Sequence, residues 1–523
     1  MKPLLQLAKG EVELQSVSHR LLIQGCAGTG KSQAIKIITR LTRRLFKKNL
    51  SVLNLAPTGS ASVIIPEGRT IHSVVNIPSQ GKEFAKLSMN EQKMNVKSLK
   101  TLKSFTVDEH NKLVLRCINA DEYGMYGQHL MAWFNQRFVE LSEVLHPGID
   151  AGIFGVIPCF NLSGDLYQLS PVGDTVIYKP LCTSAKPSTV AGYAAYKSFT
   201  DVIVLDQVVR QDPSQAMLKA TLNNLRVGEV CEDDCKFVNN RALSRLSPEE
   251  KYNYDPNNPS LIWLTETWDE ANKHNYEVIA SLNSPVAMIK SLSKGRHSSK
   301  RELGQIWDRS IICVGCRVIL TKNEGSLTWA KLNNGAIGTV ISIVYKEGIS
   351  PPDFPEYIVV DFKNYDGPPW IQAHPTWIPV TKMTVRDEDN CCWRTGFPLI
   401  PGYGISIHKS QGMSIGDNEL ITHAVIKLSH NITMEAKSLG LAYTALSRVC
   451  AEKNFALAEP ISYERLSYVN THPQMKNRRN EERRLIGLAQ KTYEKYSCSE
   501  EEYIDLIEQI DDHCDDGIRD CAR

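Results

Sequence analysis

The sequence predicts an α/β protein with two α/β domains, a small inserted β-rich module and a helical C-terminal tail. Short apolar runs alternate with helix-period patterns over residues 21–175, and a second pattern of this kind begins near residue 195. Segments rich in β-forming residues, separated by turns that contain Pro and Gly, occupy residues 335–397 instead. The domains expected from these changes are 1–175, then 176–334 together with 398–470, the insert 335–397, and the tail 471–523.

The N-terminal region has the clearest elements. Leu21–Ile23 predicts a buried strand, and Val52–Leu55 predicts the next one. Between them, apolar residues recur at helical spacing and basic residues occupy the other faces, which is typical of an amphipathic helix. The predicted apolar positions of this helix are Ala34, Ile37, Ile38, Leu41 and Leu45.

Composition narrows the class of protein. The 523 residues are 42% hydrophobic and 23% charged, the balance of an ordinary globular protein of about three or four domains. No run of eighteen apolar residues is present, so we expect no transmembrane helix. The apolar stretch at residues 1–9 is too short for a secretory signal peptide. We therefore expect a soluble intracellular enzyme, nuclear or mitochondrial if it is eukaryotic.

The 14 cysteines are scattered, and Cys313–Cys316 is the one CxxC pair. A structural zinc ion takes four ligands, and no second CxxC or CxxH segment supplies the other two. We expect Cys313 and Cys316 to be buried thiols of a reducing compartment rather than metal ligands.

Charge is balanced overall but not locally. The formal net charge is +2, whereas residues 1–120 carry 19 basic and 7 acidic side chains, a local charge of +12. Residues 498–523 carry 10 acidic and 2 basic side chains. The basic N-terminal region favours a nucleic-acid partner, and the acidic end is typical of a solvated tail or a partner contact.

A phosphate-binding pattern follows the first predicted strand and precedes the first predicted helix. The segment GCAGTGKS at residues 25–32 fits GxxxxGK[ST], in which glycines let backbone N–H groups surround phosphates. Lys31 would reach the β- and γ-phosphates, and the Ser32 hydroxyl would bind Mg²⁺. We therefore expect ATP and Mg²⁺ to bind at Gly25, Gly28, Thr29, Gly30, Lys31 and Ser32.

Hydrolysis at such a loop needs an acidic metal ligand and an acidic base. Two Asp-Glu pairs compete, Asp108-Glu109 and Asp121-Glu122. The second pair follows Leu113–Ile118, a predicted strand, so its carboxylates would lie at the same sheet edge as the phosphate loop. We expect Asp121 to bind Mg²⁺ and Glu122 to act as the base, and we expect Asp108-Glu109 to form a surface turn.

Three further polar residues are candidates for sensing the γ-phosphate or stabilising the transition state of hydrolysis. Gln168 follows another predicted strand, at a position from which it could sense the γ-phosphate. Arg210 and Arg448 could neutralise developing charge from a second domain.

The ordered set of motifs resembles the Pif/RecD-type DNA helicases of superfamily one, which move 5′→3′ on single strands. The resemblance covers most of the chain, in the family's order. The matching segments are GCAGTGKS at 25–32, APTGSAS at 56–62, RTIHS at 69–73, ADEYGM at 120–125, GDLYQLSPV at 164–172, VVRQ at 208–211, LNNLRVGEV at 222–230, LNNGAIGTV at 332–340, ISIHKSQGMSI at 405–415 and LAYTALSRV at 441–449.

The resemblance implies two RecA-like domains, an SH3-like insert, and the ATPase roles given above for Lys31, Asp121, Glu122, Gln168, Arg210 and Arg448. It implies that Gln411 and Gly412 link the nucleotide to the DNA track, and it makes Gln6 the candidate adenine reader. Implied partners are single-stranded DNA and tailed or forked duplexes, with no membrane and a monomeric basic state. The implied single-strand contacts are Thr58, His72, His408, Lys409 and Ser410.

Two alternatives remain open from sequence. A degenerate viral or mobile-element relative would bind nucleotide and nucleic acid without productive unwinding. A nucleotide kinase or GTPase-like switch would use the phosphate loop but leaves the HKSQG and ALSRV segments unexplained. Such a switch would turn over nucleotide at a rate indifferent to DNA.

Overall fold

The computed structural model describes residues 1–75, 96–150, 152–171, 173–295, 301–323, 327, 330–386, 392–497 and 499–515. Within these ranges, no helix combines the length and apolar character that crossing a membrane requires. The architecture is α/β, with two parallel sheets, a β-rich region between them and helices at the C-terminal end.

The first domain is a six-stranded parallel sheet in the order β3-β2-β4-β5-β1-β6. Its two predicted N-terminal strands are confirmed. In a parallel sheet the carboxyl ends of neighbouring strands meet at one edge, which here brings together the ends of β1, β4 and β5. The strands are β1 (His19–Gly25), β2 (Val52–Ala56), β3 (Arg69–Thr70), β4 (Cys117–Ala120), β5 (Cys159–Gly164) and β6 (Asp201–Leu205).

Two boundaries differ from those predicted. The strand predicted over Leu113–Ile118 begins at Cys117, because Leu113 pairs with Val107 and Leu115 N–H donates to Thr106 O. The first domain also continues past residue 175, since β6 pairs with β1 along its whole length. An apolar run predicts a strand but does not specify which sheet the strand joins.

The second parallel sheet has the order β20-β7-β21-β22. The β-rich region is larger than the module predicted at 335–397, because it includes antiparallel strands from β8 to β19; a separate apolar core is shared by β8, β12 to β16 and β19. The remaining strands are β7 (Leu261–Thr265), β8 (Val286–Lys290), β9 (Leu292–Lys294), β10 (Glu302–Leu303), β11 (Ile306–Trp307), β12 (Arg309–Cys313), β13 (Arg317–Leu320), β14 (Ile337–Val344), β15 (Tyr357–Asp361), β16 (Trp377–Thr381), β17 (Met383–Arg386), β18 (Trp393–Gly396), β19 (Leu399–Pro401), β20 (Gly404–Ser406), β21 (His423–Lys427) and β22 (Phe455–Leu457).

Helices cover both sheets and form the C-terminal region. The buried thiols expected at Cys313 and Cys316 are confirmed, at the turn between β12 and β13. The helices are α1 (Lys2–Ala8), α2 (Lys31–Phe46), α3 (Gly59–Ser62), α4 (Ile71–Val75), α5 (Val96–Lys103), α6 (Gln128–Leu145), α7 (Pro187–Lys197), α8 (Ala216–Val227), α9 (Glu232–Asn240), α10 (Pro248–Tyr252), α11 (Trp268–Ser281), α12 (Thr433–Lys437), α13 (Leu441–Leu446), α14 (Tyr463–Thr471), α15 (Gln474–Tyr496) and α16 (Glu500–Asp515).

The amphipathic helix predicted after the phosphate loop is α2, but its buried face is rotated. Ile35, Thr39 and Leu45 are buried, whereas Ile37 is half exposed. Thr39 is tolerated inside because its hydroxyl donates to Asn54 Oδ1 at 3.2 Å. A hydroxyl with a partner therefore occupies a buried position that the apolar periodicity did not mark.

The helical tail packs on the first domain. In α15, the Thr492 hydroxyl oxygen accepts from Val202 N–H of β6 at 2.8 Å, and Lys495 Nζ lies 3.1 Å from Asp201 Oδ1. In α16, Ile510 is buried against Leu5 of α1. The tail therefore covers the β6 edge and the start of the chain; residues 516–523, which include Asp516 and Asp520, lie outside the described ranges.

Candidate active site

The phosphate loop turns between β1 and α2, and its glycines are required by conformation and by space. Gly28 and Gly30 have φ values of +82° and +89°, the left-handed region that side chains disfavour. A Cβ on Gly28 would also overlap the Cβ of Arg210. Gly28 therefore allows the arginine of the VVRQ segment to lie directly against the loop, where Val209 N–H donates to Gly28 O at 2.8 Å.

Lys31 begins α2 and lies across the mouth of this loop. Its Nζ donates to Gly25 O at 2.9 Å and to Cys26 O at 2.8 Å, and the side chain is 9% exposed. Thr29 supports the same turn, since its hydroxyl donates to Cys26 O at 3.0 Å. The ammonium group is therefore held beside the backbone N–H groups that a phosphate would meet.

The acidic pair follows β4 directly, which places both carboxylates at the edge that carries the phosphate loop. Ser163 of β5 donates to Asp121 Oδ1 at 2.6 Å. Glu122 has φ +55°, a left-handed conformation that is strained for a residue with a side chain and is common at functional sites. Asp108-Glu109 lies in an exposed turn, as predicted.

Burial changes the acidity of both carboxyls. Desolvation raises the pKa of Asp121, and the Ser163 hydrogen bond opposes this shift. Desolvation also raises the pKa of Glu122, the nearby Asp121 raises it further, and Lys31 opposes the shift. A carboxylate whose proton affinity is raised in this way is a stronger base, which is the property that activating a water molecule requires.

The opposite wall comes from the second domain and the connecting segment. Arg210 donates from Nη1 to Ser447 O at 2.7 Å. Arg448 is 1% exposed, and its Nε donates to Thr444 O at 3.0 Å. Burial and the neighbouring Arg210 lower the pKa of Arg448 to about 10, so the guanidinium remains charged at neutral pH.

These groups line one cleft of about 540 Å³. Gln168 faces it, and Gln168 Oε1 has no hydrogen-bond partner among the described residues. Both amide atoms of the buried Gln411 are likewise unpaired within the described part of the chain. Sequence-predicted residues along the cleft are Gly28, Thr29, Gly30, Lys31, Ser32, Asp121, Glu122, Gln168, Arg210, Gly412 and Arg448, with Gly25 at the base of the loop.

Three residues that the sequence did not single out connect the two domains behind the loop. Tyr443 of α13 donates from its hydroxyl to Asp165 Oδ2 at 2.7 Å, and Ala27 N–H donates to the same hydroxyl at 3.4 Å. Arg226 Nε lies 3.5 Å from Asp165 Oδ1, and Asp165 is fully buried. All three lie inside segments that match the helicase motifs: Asp165, Arg226 and Tyr443. The motif match could therefore have pointed to them, although it gave no role to any of the three.

The predicted single-strand contacts come from both domains. Thr58 caps α3, with its hydroxyl oxygen accepting from Ala61 N–H at 3.2 Å, and His72 is exposed on α4. His408 is half-buried, its Nε2 lies 3.1 Å from Ser438 Oγ, and burial lowers its pKa. Thr58 and His72 thus come from the first domain and His408 from the second.

Lys409 and Ser410 share one short turn but differ in access. Lys409 lines the cleft and donates to Asn334 Oδ1, and burial lowers its pKa to about 8. Ser410 is fully buried and its hydroxyl donates to Ile407 O at 2.8 Å. In this conformation the Ser410 hydroxyl closes the turn, and the predicted contact of Ser410 with DNA stays a prediction.

Gln6 lies too far from the phosphate loop for its predicted role as the adenine reader. It lies in α1 beside His19 and Asp201, at the amino ends of β1 and β6. The phosphate loop starts at the other end of β1, about 20 Å away at 3.3 Å per residue. Gln6 is not the adenine reader of this cleft.

Residues 7–225 match the family model described as PIF1-like helicase. The ATP-dependent DNA helicase Pif1 of Bdellovibrio bacteriovorus is 24% identical over 458 residues, which is 85% of this chain and 85% of that protein. The chain is thus similar to Pif1-type helicases. The ATP-dependent DNA helicase PIF1 of Candida albicans is also 24% identical, over 93% of this chain and 58% of its own length.

Solved structures of Pif1-type helicases share the fold. The crystal structure of Pif1 helicase from Candida albicans covers 92% of this chain and 98% of its own, with a TM-score of 0.67 at 22% identity. Pif1 from Bacteroides in complex with ADP-AlF3 and ssDNA covers 88% of this chain and 93% of its own, with a TM-score of 0.59 at 19% identity. The fold is thus α/β with two RecA-like domains and a C-terminal helical region.

Proposed function

We propose that this protein is an ATP-dependent DNA helicase that moves 5′→3′ along single-stranded DNA. One observation carries the proposal: Lys31, Glu122 and Gln168 of the first domain face the same cleft as Arg448 of the second. A cleft that needs both domains to be complete couples hydrolysis to their relative movement. Because one chain supplies both walls, a monomer suffices for the basic reaction.

In this proposal the phosphate loop binds the ATP phosphates, with Lys31 at the β- and γ-phosphates. Glu122 accepts a proton from the attacking water, and Gln168 orients that water or the γ-phosphate. Arg210 and Arg448 stabilise the charge that develops in the transition state. Each of these residues already lies on the cleft, so the proposed roles need no rearrangement of the motifs.

The donor set fits Mg²⁺. Ser32 and Asp121 both line the cleft and supply oxygen atoms, and Mg²⁺ in nucleotide sites takes only one or two protein ligands beside phosphate and water. Bound Mg²⁺ would neutralise charge on the β- and γ-phosphates. Ser163 would keep the Asp121 carboxylate oriented through their 2.6 Å hydrogen bond.

Gly412 provides a physical connection between the nucleotide cleft and the proposed DNA track. It has φ +86°, and a Cβ there would lie 3.1 Å from Ala61 Cα of α3. That helix is capped by Thr58 and contacts Asn334, the partner of Lys409. We propose that Thr58, His72, His408 and Lys409 bind the strand, largely through phosphates, which gives the sequence-independent grip that a motor needs.

The solved relatives support the DNA partners. One structure contains a Bacteroides Pif1 bound to ssDNA, and another concerns DNA unwinding at forked dsDNA by two coordinating Pif1 helicases. We propose single strands and tailed or forked duplexes as the substrates of this protein. Separation of a duplex costs about 1.4 kcal/mol of stacking per step on average.

The test is ATP hydrolysis with and without single-stranded DNA, for wild type, Lys31→Ala and the matched control Lys36→Ala on the same helix. We expect strong stimulation by DNA that Lys31→Ala abolishes and Lys36→Ala retains. Turnover that DNA does not change would favour a nucleotide switch. Tight binding of ATP and DNA with no turnover would identify a degenerate relative.

A further inference from the structure

Arg478, in the helical tail, is fully buried where α15 meets both domains. Its Nη1 donates to Tyr167 O at 2.9 Å, and its Nη2 donates to Gln168 O at 2.7 Å and to Leu439 O at 3.2 Å. The same guanidinium reaches Ser170 Oγ and Tyr178 Oη, each at 3.3 Å. One side chain thus joins the loop after β5 to the segment that leads into α13.

This arginine is held by carbonyl groups rather than by an acid. Among the described residues, no carboxylate lies within ion-pair distance of Arg478. A guanidinium is planar and presents its donors in fixed directions, so it specifies the relative positions of the carbonyls that it bridges. Lysine has one rotatable donor group and cannot fix three carbonyls in this way.

The carbonyls that Arg478 holds belong to functional segments. Gln168 is the candidate γ-phosphate sensor, and holding its backbone carbonyl restricts the directions open to its side chain, whose Oε1 is unpaired among the described residues. Leu439 immediately precedes Gly440, whose φ is +100° and whose Cβ, if present, would lie 2.8 Å from Tyr167 O. Helix α13 starts there and leads to Arg448. The close approach of the two segments is therefore built into the backbone.

A second contact from α15 strengthens this connection. Tyr167 donates from its hydroxyl to Glu482 Oε2 at 2.8 Å, and Arg226 Nη2 lies 2.9 Å from Glu482 Oε1. Glu482 lies one turn after Arg478 on the same helix. The helix thus contacts the segment of Gln168 through its backbone and through the neighbouring tyrosine.

We propose that Arg478 is a positioning residue that fixes the segment of Gln168 relative to the helix leading to Arg448. Helix α15 thereby contributes to ATP hydrolysis. This inference rests on the proposed ATPase function. The sequence alone would predict that the arginine-rich part of α15 lies on the surface, whereas Arg478 is buried. A change outside both domains should therefore alter the chemical step.

The test compares Arg478→Met, Arg478→Lys and the control Arg479→Met, whose wild-type arginine donates to the carbonyls of Val227 and Gly228 instead. We expect Arg478→Met to lower the DNA-stimulated kcat roughly 10- to 100-fold with little change in KM for ATP, the effect of a misplaced catalytic group. Arg478→Lys should recover only part of this loss, and Arg479→Met should retain activity.

A double-mutant cycle separates positioning from general stability. If Arg478 acts through Gln168, then Arg478→Met should change kcat less than about twofold in a Gln168→Ala background, because coupled residues are not additive. Additive effects in the cycle would overturn the proposal. In the apoprotein, hydrogen exchange should rise in residues 165–170 and 439–442 for Arg478→Met alone, and unchanged exchange there would also overturn it.

Failure of the proposed function would be distinct from failure of this inference. If wild type does not hydrolyse ATP, the ATPase proposal fails, and fluorescence titration with ATPγS and ADP then decides the role of Arg478. A reduced preference of Arg478→Met for ATPγS over ADP, with the preference of Arg479→Met unchanged, would support the sensor role. An unchanged preference in both variants would overturn it.

Discussion

On the cleft side of the domain seam, Gln168 Oε1 has no hydrogen-bond partner among the described residues, whereas each charged group behind the seam has a hydrogen-bond or ion-pair partner. We call the latter groups the support network: Asp165, Arg226, Tyr443, Arg478 and Glu482. The cleft also contains Glu122, in a strained conformation and with a raised pKa. The difference indicates that the unpaired groups of the cleft are available to bind a ligand. The paired groups behind the seam hold the cleft residues in position.

Arg448→Ala should produce the largest effect, because it removes a charge from the wall that the second domain contributes. An arginine that stabilises phosphoryl transfer is worth about 10³- to 10⁵-fold in kcat. Steady-state ATPase assays at saturating DNA should show a loss in that range. Arg483→Ala, at an exposed arginine of α15, is the matched control. A loss below about tenfold would remove Arg448 from the transition-state role.

Glu122→Gln should lower kcat by about 10²- to 10⁴-fold while ATP binding persists, because the amide cannot accept the proton. Wild-type activity should fall as pH decreases, since protonation disables the base. Because its pKa is raised, this loss should be centred above the ordinary glutamate value of about 4.3. A pH–rate profile and nucleotide titrations check both statements. Full activity of Glu122→Gln would identify another base.

Tyr443→Phe breaks the support network without changing the shape of the ring. The variant leaves the buried Asp165 without its 2.7 Å hydrogen bond and removes the contact with Ala27 N–H. The free energy of unfolding should fall by roughly 1–3 kcal/mol, as for other hydrogen bonds to buried charged groups. Urea unfolding measures this change, with Tyr252→Phe at an 81% exposed position as control. Equal stability of the two variants would contradict the support role.

The smallest expected effect concerns Lys409, because one phosphate contact among several changes affinity modestly. The pKa of Lys409 is lowered to about 8, so its charge, and with it DNA affinity, should decrease as pH rises through that value. Lys409→Ala should weaken binding and reduce the salt slope by about one unit. Fluorescence anisotropy at several salt concentrations and pH values measures both. A slope equal to that of wild type would exclude a phosphate contact.

Sequence alone predicted those parts of the site whose residues are neighbours in the chain or follow a strand directly. Lys31 and Ser32 belong to one contiguous motif, and Asp121 follows a strand of a parallel sheet, so local pattern determines where each lies. The division into α/β domains with a β-rich insert was predictable for the same reason. Strand periodicity and turn residues are local properties.

The rest depends on contacts between distant segments. Arg478 meets Gln168 across 310 positions, and the pattern around it is that of an ordinary charged helix. The burial of Ser410 and the placement of Gln6 follow from tertiary packing, which a motif match does not report. The strand β6 joins the first sheet through pairing with β1, again without a local signal.

Strand separation on duplexes with either a 5′ or a 3′ single-stranded tail tests the proposed helicase function most directly. We expect ATP-dependent unwinding of the 5′-tailed duplex by wild type, little unwinding of the 3′-tailed duplex, and none by Lys31→Ala. Preferential unwinding of the 3′-tailed duplex would contradict the direction. Stimulated ATP hydrolysis without unwinding of either duplex would contradict the helicase function itself.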